Sequence, residues 1–353
     1  MHSVTLPKRE QGQCNNGEKR LMQYQTITIR AQIARFVALG AAALMTLSLA
    51  QVANANSFTR GQHIEPAYEG WRPNEDGTFS FMFGYQNENW EEEPDVEVGP
   101  ENMFSPGEAD RGQPTHFLPR RNRFTFEVQV PADWGDRELV WTLKVNGVER
   151  KAYATLKADY QVDNIVIASE TGSLGAGTSS PESRSNVPPV VAVQGDEIRT
   201  VRVGEPMNLK TLVTDDGLPT PDDVLEDARE FAEFAAGPLA AALINAENVY
   251  ESRLMRPPTR VTVGKVNGLY LSWNVYRGAG KVTFDPPMPK VWEDTRTSAN
   301  SPWGALWTPP PIPADGMYDV NVTFEEPGTY VLWGRADDGG LYHDGYITVN
   351  VTE

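Results

Sequence analysis

Cysteine is almost missing from this chain: Cys14 is the only one in 353 residues. It lies ahead of a predicted cleavage point, so the mature protein has no disulfide, no thiolate nucleophile and no cysteine-ligated metal. A lipoprotein anchor is excluded for the same reason, since it needs a Cys directly after the apolar segment. Histidine is scarce as well, and beyond the cleavage point only His63, His116 and His343 remain, on three separate segments. The chain contains no H-E-x-x-H, no G-x-S-x-G elbow, no P-loop and no G-x-G-x-x-G. These absences remove the common metalloprotease, serine-hydrolase and nucleotide-dependent chemistries, and the reading is of a protein that is not an enzyme. No apolar run reaches the roughly 20 residues that a membrane-spanning helix needs. Positive charge is in deficit too, with 31 Lys and Arg against 48 Asp and Glu, which argues against nucleic acid as a partner.

The chain opens with an export signal. Arg30 and Arg35 form a positive n-region, Phe36 to Leu49 is a short apolar core, and Ala53-Asn54-Ala55 is an A-x-A cleavage site, so residues 1–55 read as a cleaved signal peptide and Asn56 as the mature start. The two arginines are not adjacent, which favours general secretion over the twin-arginine route. The polar stretch before Met22 also leaves Met22 as an alternative start. The first 55 residues carry six Lys or Arg and two Asp or Glu, so cleavage takes the net charge from −17 to −21. A surface this acidic keeps an exported protein soluble and draws cations. A periplasmic, secreted or cell-surface location is expected, with a protein or a polysaccharide of the cell envelope as partner.

The mature chain is long enough for two domains. Ser169 to Ser185 (SETGSLGAGTSSPESRS) has a single large apolar residue, and Pro188-Pro189 stiffens the entry to the second domain, so residues 169–188 read as a flexible linker. Upstream, Thr78 to Phe83, Phe124 to Val130 and Leu139 to Val145 read as strands, and Asn146-Gly147 predicts a tight hairpin into Ala152 to Leu156. Residues 56–168 therefore read as a small antiparallel sandwich. Downstream, seven strands are expected at Glu197–Val203, Met207–Val213, Leu269–Tyr276, Lys281–Phe284, Tyr318–Phe324, Thr329–Ala336 and Tyr346–Val351, making residues 189–353 a second sandwich. The expected fold class is all-β, two immunoglobulin-like antiparallel β-sandwiches.

Four motifs in the second half are specific. They are Val203-Gly204-Glu205-Pro206, Thr214-Asp215-Asp216-Gly217, Leu271-Ser272-Trp273-Asn274-Val275, and Pro327 to Leu332 (PGTYVL) with Ala336-Asp337-Asp338-Gly339 after it. This pattern resembles the polycystic-kidney-disease (PKD) repeat and related bacterial immunoglobulin-like modules. The resemblance spans roughly 165 residues and implies a fold rather than an activity. With Pro106 to Arg121 in the first domain and Lys290 to Arg296 in the second, the whole chain also resembles a group of uncharacterised exported bacterial proteins, which again implies no reaction.

An insertion at 220–257 departs from the PKD pattern. Thr220-Pro221-Asp222-Asp223 predicts a capped helix start, and Val224, Ala228, Phe231 and Ala235 recur as an apolar stripe. Gly237-Pro238 breaks this helix, and a second is expected from Leu239 to Leu254. The stripe is expected to pack on the parent sheet, with a partner-binding arm as the alternative.

Three sets of residues are candidate sites. Trp303 and Trp307, held extended by the prolines of WGALWTPPPIP, together with Trp292, form a candidate carbohydrate platform; covering a sheet edge is the plainer use of that segment. Arg111, His116, Arg120 and Arg121 form a candidate anion-binding cluster, set against an internal ion-pair network with the acidic run Glu91 to Asp95. Asp215, Asp216, Asp337 and Asp338 are loop carboxylates of the type that ligates calcium, although D-D-G is also ordinary turn chemistry, and no other cofactor is expected. A non-enzymatic binding protein is the favoured reading, with a carbohydrate-binding protein or a secreted glycoside hydrolase as the alternative.

Overall fold

Aromatic alternation builds the first half of the molecule. In the computed structural model, which describes residues 58–172, 179–221, 223–254, 264–296, 298–304 and 306–353, two three-stranded antiparallel sheets face each other. One has the order β1 (Ile64–Pro73), β2 (Phe79–Asn87), β4 (Arg120–Val130); the other has β3 (Asn102–Ser105), β5 (Leu139–Val145), β6 (Val148–Ala154). The expected export signal lies outside the described residues.

Strand β5 alternates buried and half-buried positions along its length, as a strand with one covered face should. Its Trp141 meets Phe126 edge-to-face at 5.1 Å, and Phe83 meets Phe104 at 5.2 Å. The hairpin after β5 turns at Asn146 and Gly147, with φ of 49° and 79°, the two positive values that a type I′ turn demands. Strand β2 is different, because both of its faces are covered. Phe81 and Phe83 point into the sandwich, while Met82 joins Phe124, Val162 and Ile167 on the outer face, together with Leu341 from the second half. Asn102, wholly buried at the start of β3, accepts from Trp141 Nε1 at 3.0 Å and donates to the carbonyls of Val96 and Pro114, fixing the loops on either side of β3 to the core.

The second sandwich has eight strands, one more than the sequence suggests. One sheet runs β10 (Tyr270–Arg277), β13 (Gly328–Asp337), β14 (Tyr342–Thr352), β8 (Ile198–Arg202); the other runs β11 (Val282–Asp285), β12 (Met317–Phe324), β9 (Met207–Thr214), β7 (Val190–Val193). The additional strand is β7, which comes directly after Pro188-Pro189. The opening segment thus changes sheets between β7 and β8, and β8 runs parallel to β14 while the other pairings are antiparallel. Trp273, Phe324, Tyr330 and Leu332 fill the centre. Gly334 permits this packing, since a Cβ there would sit 2.8 Å from the Trp273 ring.

Between the strand sets lie helix α1 (Asn164–Glu170), whose N-cap Asp163 accepts from Val166 N, and the short α2 (Pro181–Ser185), closed by a Ser180–Ser183 capping box. Ser169, Thr171, Ser183 and Asn186 are buried, so these stretches of the expected linker pack against the protein; residues 173–178 lie outside the described residues.

A seam of polar contacts joins the two sandwiches. The amides of Thr115 and His116 both donate to the carbonyl of Tyr276, at 3.1 and 3.2 Å, and Tyr276 returns its hydroxyl to Gly112 O at 2.5 Å. Arg277 donates to Gln113 O and holds Asp110 with both Nη atoms. Arg335 donates to Phe124 O at 2.7 Å, and Arg123 is paired with Glu293 and Glu170. Aromatic packing runs along the same line, because Tyr276, Val291, Trp292 and Trp333 belong to the core of the first sandwich.

Candidate functional site

The insertion folds as three helices: α3 (Val224–Ala236), α4 (Pro238–Ala242) and α5 (Ala246–Leu254). The first N-cap is Asp223, which accepts from Leu225 N and Glu226 N, rather than Thr220. Thr220 is drawn away because both its amide and its hydroxyl donate to Glu182. Gly237, with φ of 88°, ends α3, and Pro238 opens α4 at a position that needs no amide hydrogen. The single second helix expected from Leu239 is two helices, because Asn245 and Asn248 exchange side-chain and backbone bonds at 3.0 Å and start a new cap.

Packing of this element differs from the expectation. The apolar stripe does not lie on the parent sheet. The half-buried positions of α3 among the described side chains are Leu225, Ala228, Arg229 and Ala232, and α4 packs against this helix. Phe231 is 69% exposed and Phe234 91%, with Leu239 at 78% and Leu243 at 67%. Four large apolar side chains therefore stand in water on one small element. Large apolar side chains this exposed on one element are uncommon unless something binds them. Among the described side chains of the insertion the buried one is Val249 on α5, whose first turn faces Arg296, Leu306 and Trp307 across a shallow cleft.

Charge frames the patch. Glu226 is paired with Arg229 at 3.4 Å, whereas Asp227, Glu230, Glu233, Glu247 and Glu251 have no ion pair among the described residues. Glu226 and Asp227 also lie in the first turn of α3, where negative charge offsets the helix dipole. The element therefore presents apolar side chains inside an acidic rim. Sequence reading paired Phe231 with Ala228 and Ala235 and so missed the outward pair Phe231 and Phe234, three residues apart at the solvent edge of that stripe. An apolar arc too wide for one buried stripe was the available signal.

The other candidate residues are placed elsewhere. Trp303 and Trp307 are each 8% exposed and Trp292 is 9%, so the expected carbohydrate platform is corrected: these rings are covered. Trp307 packs edge-on to Tyr270 at 5.4 Å and donates to Asn300 Oδ1, Trp303 lies under the ammonium of Lys265, and Trp292 lies under that of Lys290. The Trp307 contact lays this segment against Tyr270 of β10, an edge strand of its sheet.

The guanidinium cluster is likewise dispersed into internal contacts. Arg121 holds Glu69 with both oxygens within 2.9 Å, Arg120 donates to Glu88 O and stacks on Trp90 at 4.4 Å, and Arg111 donates to Gln129 O. Trp90 is held from a second side by Arg296 at 4.8 Å. His116 lies between Asp95 (2.8 Å) and Glu93 (3.1 Å). Burial alone would lower its pKa, but the two carboxylates prevail and push it up to about 9. An imidazolium already held by two anions has little left to offer a third. Nearby Asp294, buried, is held by Lys290 and Arg296 and stays well below the usual carboxylate range.

The loop aspartates are engaged by donors. Asp337 pairs with buried Lys265 at 2.6 Å; Asp338 accepts from the amides of Gly340 and Leu341 and from Asn186 Nδ2. Asp215 accepts from Gly217 N, and Asp216 from Leu218 N and Val187 N. This is turn chemistry, and among the described residues no group of three His, Cys, Asp or Glu is arranged to hold a metal. N–H donors and an ammonium surround most of these oxygens, an environment unlike the oxygen shell that calcium takes.

Neither a protein-family model nor a curated protein sequence matches the chain. Among solved structures, domains 4 and 5 of the S-layer protein SbsC are similar at 8% identity and a TM-score of 0.20, over 62% of this chain and 66% of that one. The titin domains Z1Z2 in complex with telethonin are similar at 10% identity and 0.20, over 81% and 96%. The fibronectin(III)-like modules of Clostridium thermocellum CbhA are similar at 8% and 0.19, over 82% and 94%. Scores near 0.2 superpose too little to bear on function, and the two immunoglobulin-like sandwiches rest on their own strand pairing. Among the described residues no helix is long and apolar enough to cross a membrane.

Proposed function

We propose that this chain is an exported, non-enzymatic binding protein whose helical insertion docks onto a partner protein. The observation that carries this reading is the exposure of Phe231, Phe234, Leu239 and Leu243 on one element of a fold whose other large side chains are mostly covered. Burying four such side chains is worth about 1.5–3 kcal/mol each before the costs of association, enough to drive a specific contact. The acidic rim sets the partner's chemistry: an apolar surface flanked by Lys or Arg, to which Glu230, Glu233, Glu247 and Glu251 are complementary. A second copy of this chain is a poor occupant, since it would set one acidic rim against another. Export rests on the leader read at residues 1–55, and the envelope or the cell exterior is where the partner is sought.

Affinity capture from envelope and secreted fractions tests this, with wild type compared against Phe231→Ser/Phe234→Ser and against Glu230→Lys/Glu233→Lys. Retention of one partner by the wild type, lost in both variants at unchanged melting temperature and weakened by salt, is the expected result. A partner retained equally by all three proteins would place the contact elsewhere on the molecule, and no partner at all would end the docking reading.

A further inference from the structure

A second recognition surface lies at the seam. Strands β1, β4, β10, β13 and β14 enclose an open cleft of about 590 Å³, within the range of small-ligand sites. Its lining comes from both sandwiches: Phe124 and Phe126 from the first, Tyr276, Val331, Tyr342 and Tyr346 from the second. Tyr276 and Tyr346 meet edge-to-face at 5.3 Å, and Phe124 stacks with Tyr342 at 6.5 Å and 27°. Tyr346 is the most open of these rings, at 41% exposure.

The charges around the cleft decide the class of ligand. Arg72 is paired with Glu127 at 2.7 Å, Arg277 with Asp110, and Arg335 with Asp344 at 2.8 Å. Each guanidinium is matched by a carboxylate, so the rim carries donors and acceptors without a surplus of either charge. An anion would meet the carboxylates, and a cation the guanidinia. The hydroxyls of Tyr342 and Tyr346 form no hydrogen bond among the described residues, which leaves two groups able both to donate and to accept. Aromatic faces are electron-rich and attract polarised C–H groups, and one face of Tyr342 is already covered by the guanidinium of Arg335 at 3.8 Å. A ring bearing C–H groups on its faces and hydroxyls around its edge fits both features.

We infer that this inter-sandwich cleft binds a neutral saccharide, stacked on Tyr346 and hydrogen-bonded at its rim. The site is independent of the helical arm and lies on different elements. It moves carbohydrate recognition from the buried tryptophans to the tyrosines of β10 and β14. Trp333 lies 6.3 Å from Tyr276 and reports on the cleft by fluorescence.

The test is a fluorescence titration of the protein with four neutral hexasaccharides: cellohexaose, maltohexaose, laminarihexaose and chitohexaose. A saturable change with at least one of them is expected, weakened more than tenfold by Tyr346→Ala and kept within threefold by Tyr346→Phe. Phe234→Ser, on the arm, should leave it unchanged, which separates this site from the docking surface. Val331→Trp fills the cleft without removing a ring and should abolish the change, so the question remains answerable even if Tyr346→Ala fails to fold. No saturable change with any of the four sugars, or a change that persists in both Tyr346→Ala and Val331→Trp, overturns the inference.

Discussion

Arg335 on β13 donates to the carbonyl oxygen of Phe124 at 2.7 Å, across 211 residues of chain, while its Nε and Nη2 hold Asp344 on the neighbouring strand at 2.8 Å. Its guanidinium also covers Trp333 at 4.7 Å and Tyr342 at 3.8 Å. One buried cation therefore completes both the ion pair of the second sandwich and the seam with the first. Removing it leaves Asp344 poorly solvated and a carbonyl without its donor. Arg335→Met is expected to cost about 3–5 kcal/mol, the range for breaking a buried pair from one side, measured by denaturant unfolding. Arg335→Met/Asp344→Leu should recover part of that loss, and a single variant as stable as wild type would remove Arg335 from the account of the seam.

His116 ties the protein's stability to alkaline pH. Its folded pKa of about 9 lies above the unfolded value near 6.5, so its contribution is complete below pH 6.5 and is lost as pH rises toward 9. Each pH unit in that window costs about 1.4 kcal/mol at most. His116→Gln should be less stable than wild type at pH 6 and approach it by pH 9. Parallel stability curves for the two proteins across this window would contradict the ion-pair geometry.

Asp338 acts in the same direction at lower pH. Burial, together with the charge of Asp337, pushes its pKa up to about 7, so the folded state holds a proton that the unfolded chain releases near 3.8. Its stabilising contribution is full below about pH 4 and declines as pH rises to 7. Asp338→Asn keeps one oxygen for the amides of Gly340 and Leu341 and does not titrate. Relative to wild type, the variant should gain stability as pH rises from 4 to 7; a difference independent of pH would show that Asp338 is charged throughout.

Two aromatic substitutions should separate covered from open rings. Trp307, packed on Tyr270 and bonded to Asn300, should cost about 3–5 kcal/mol when changed to Ala, as large core truncations do. Phe234, almost entirely in water, should change stability by less than about 0.5 kcal/mol when changed to Ser. Thermal melts of both variants decide this, and a large loss at Phe234 would mean that its ring is packed.

Local signals carried much of the fold. The alternation of Phe124 to Val130 and Leu139 to Val145 became β4 and β5, and Asn146-Gly147 became the turn after β5, because period-two burial and positive φ are set by neighbours in sequence. Strand β2 was harder to read, since its outer face is covered by α1 and Leu341, partners far along the chain. The candidate sites were less legible for the same reason. Trp292, Trp303 and Trp307 lie among prolines and polar residues, which suits an exposed loop as well as a cover pressed onto a sheet. Only the fold distinguishes the two, through Tyr270, Asn300 and Lys265. The arm shows the converse: a 3.6-residue period revealed an amphipathic helix, yet which part of its broad apolar arc meets the protein depends on α4 and on the anchoring of α5.

The seam has an asymmetry with an evolutionary consequence. Apart from the Asp110 carboxylate that Arg277 also holds, the groups on the first sandwich that receive Tyr276, Arg277 and Arg335 are the main-chain oxygens of Gly112, Gln113 and Phe124. A main-chain carbonyl survives any substitution at its own position, even to proline. For this contact alone the identity of the receiving side chains does not matter, provided the backbone keeps its path. Position 112 is still held to glycine by a φ of 93°, and Gln113 and Phe124 are fixed by their own burial, so selection on the seam itself falls on the donors at positions 276, 277 and 335.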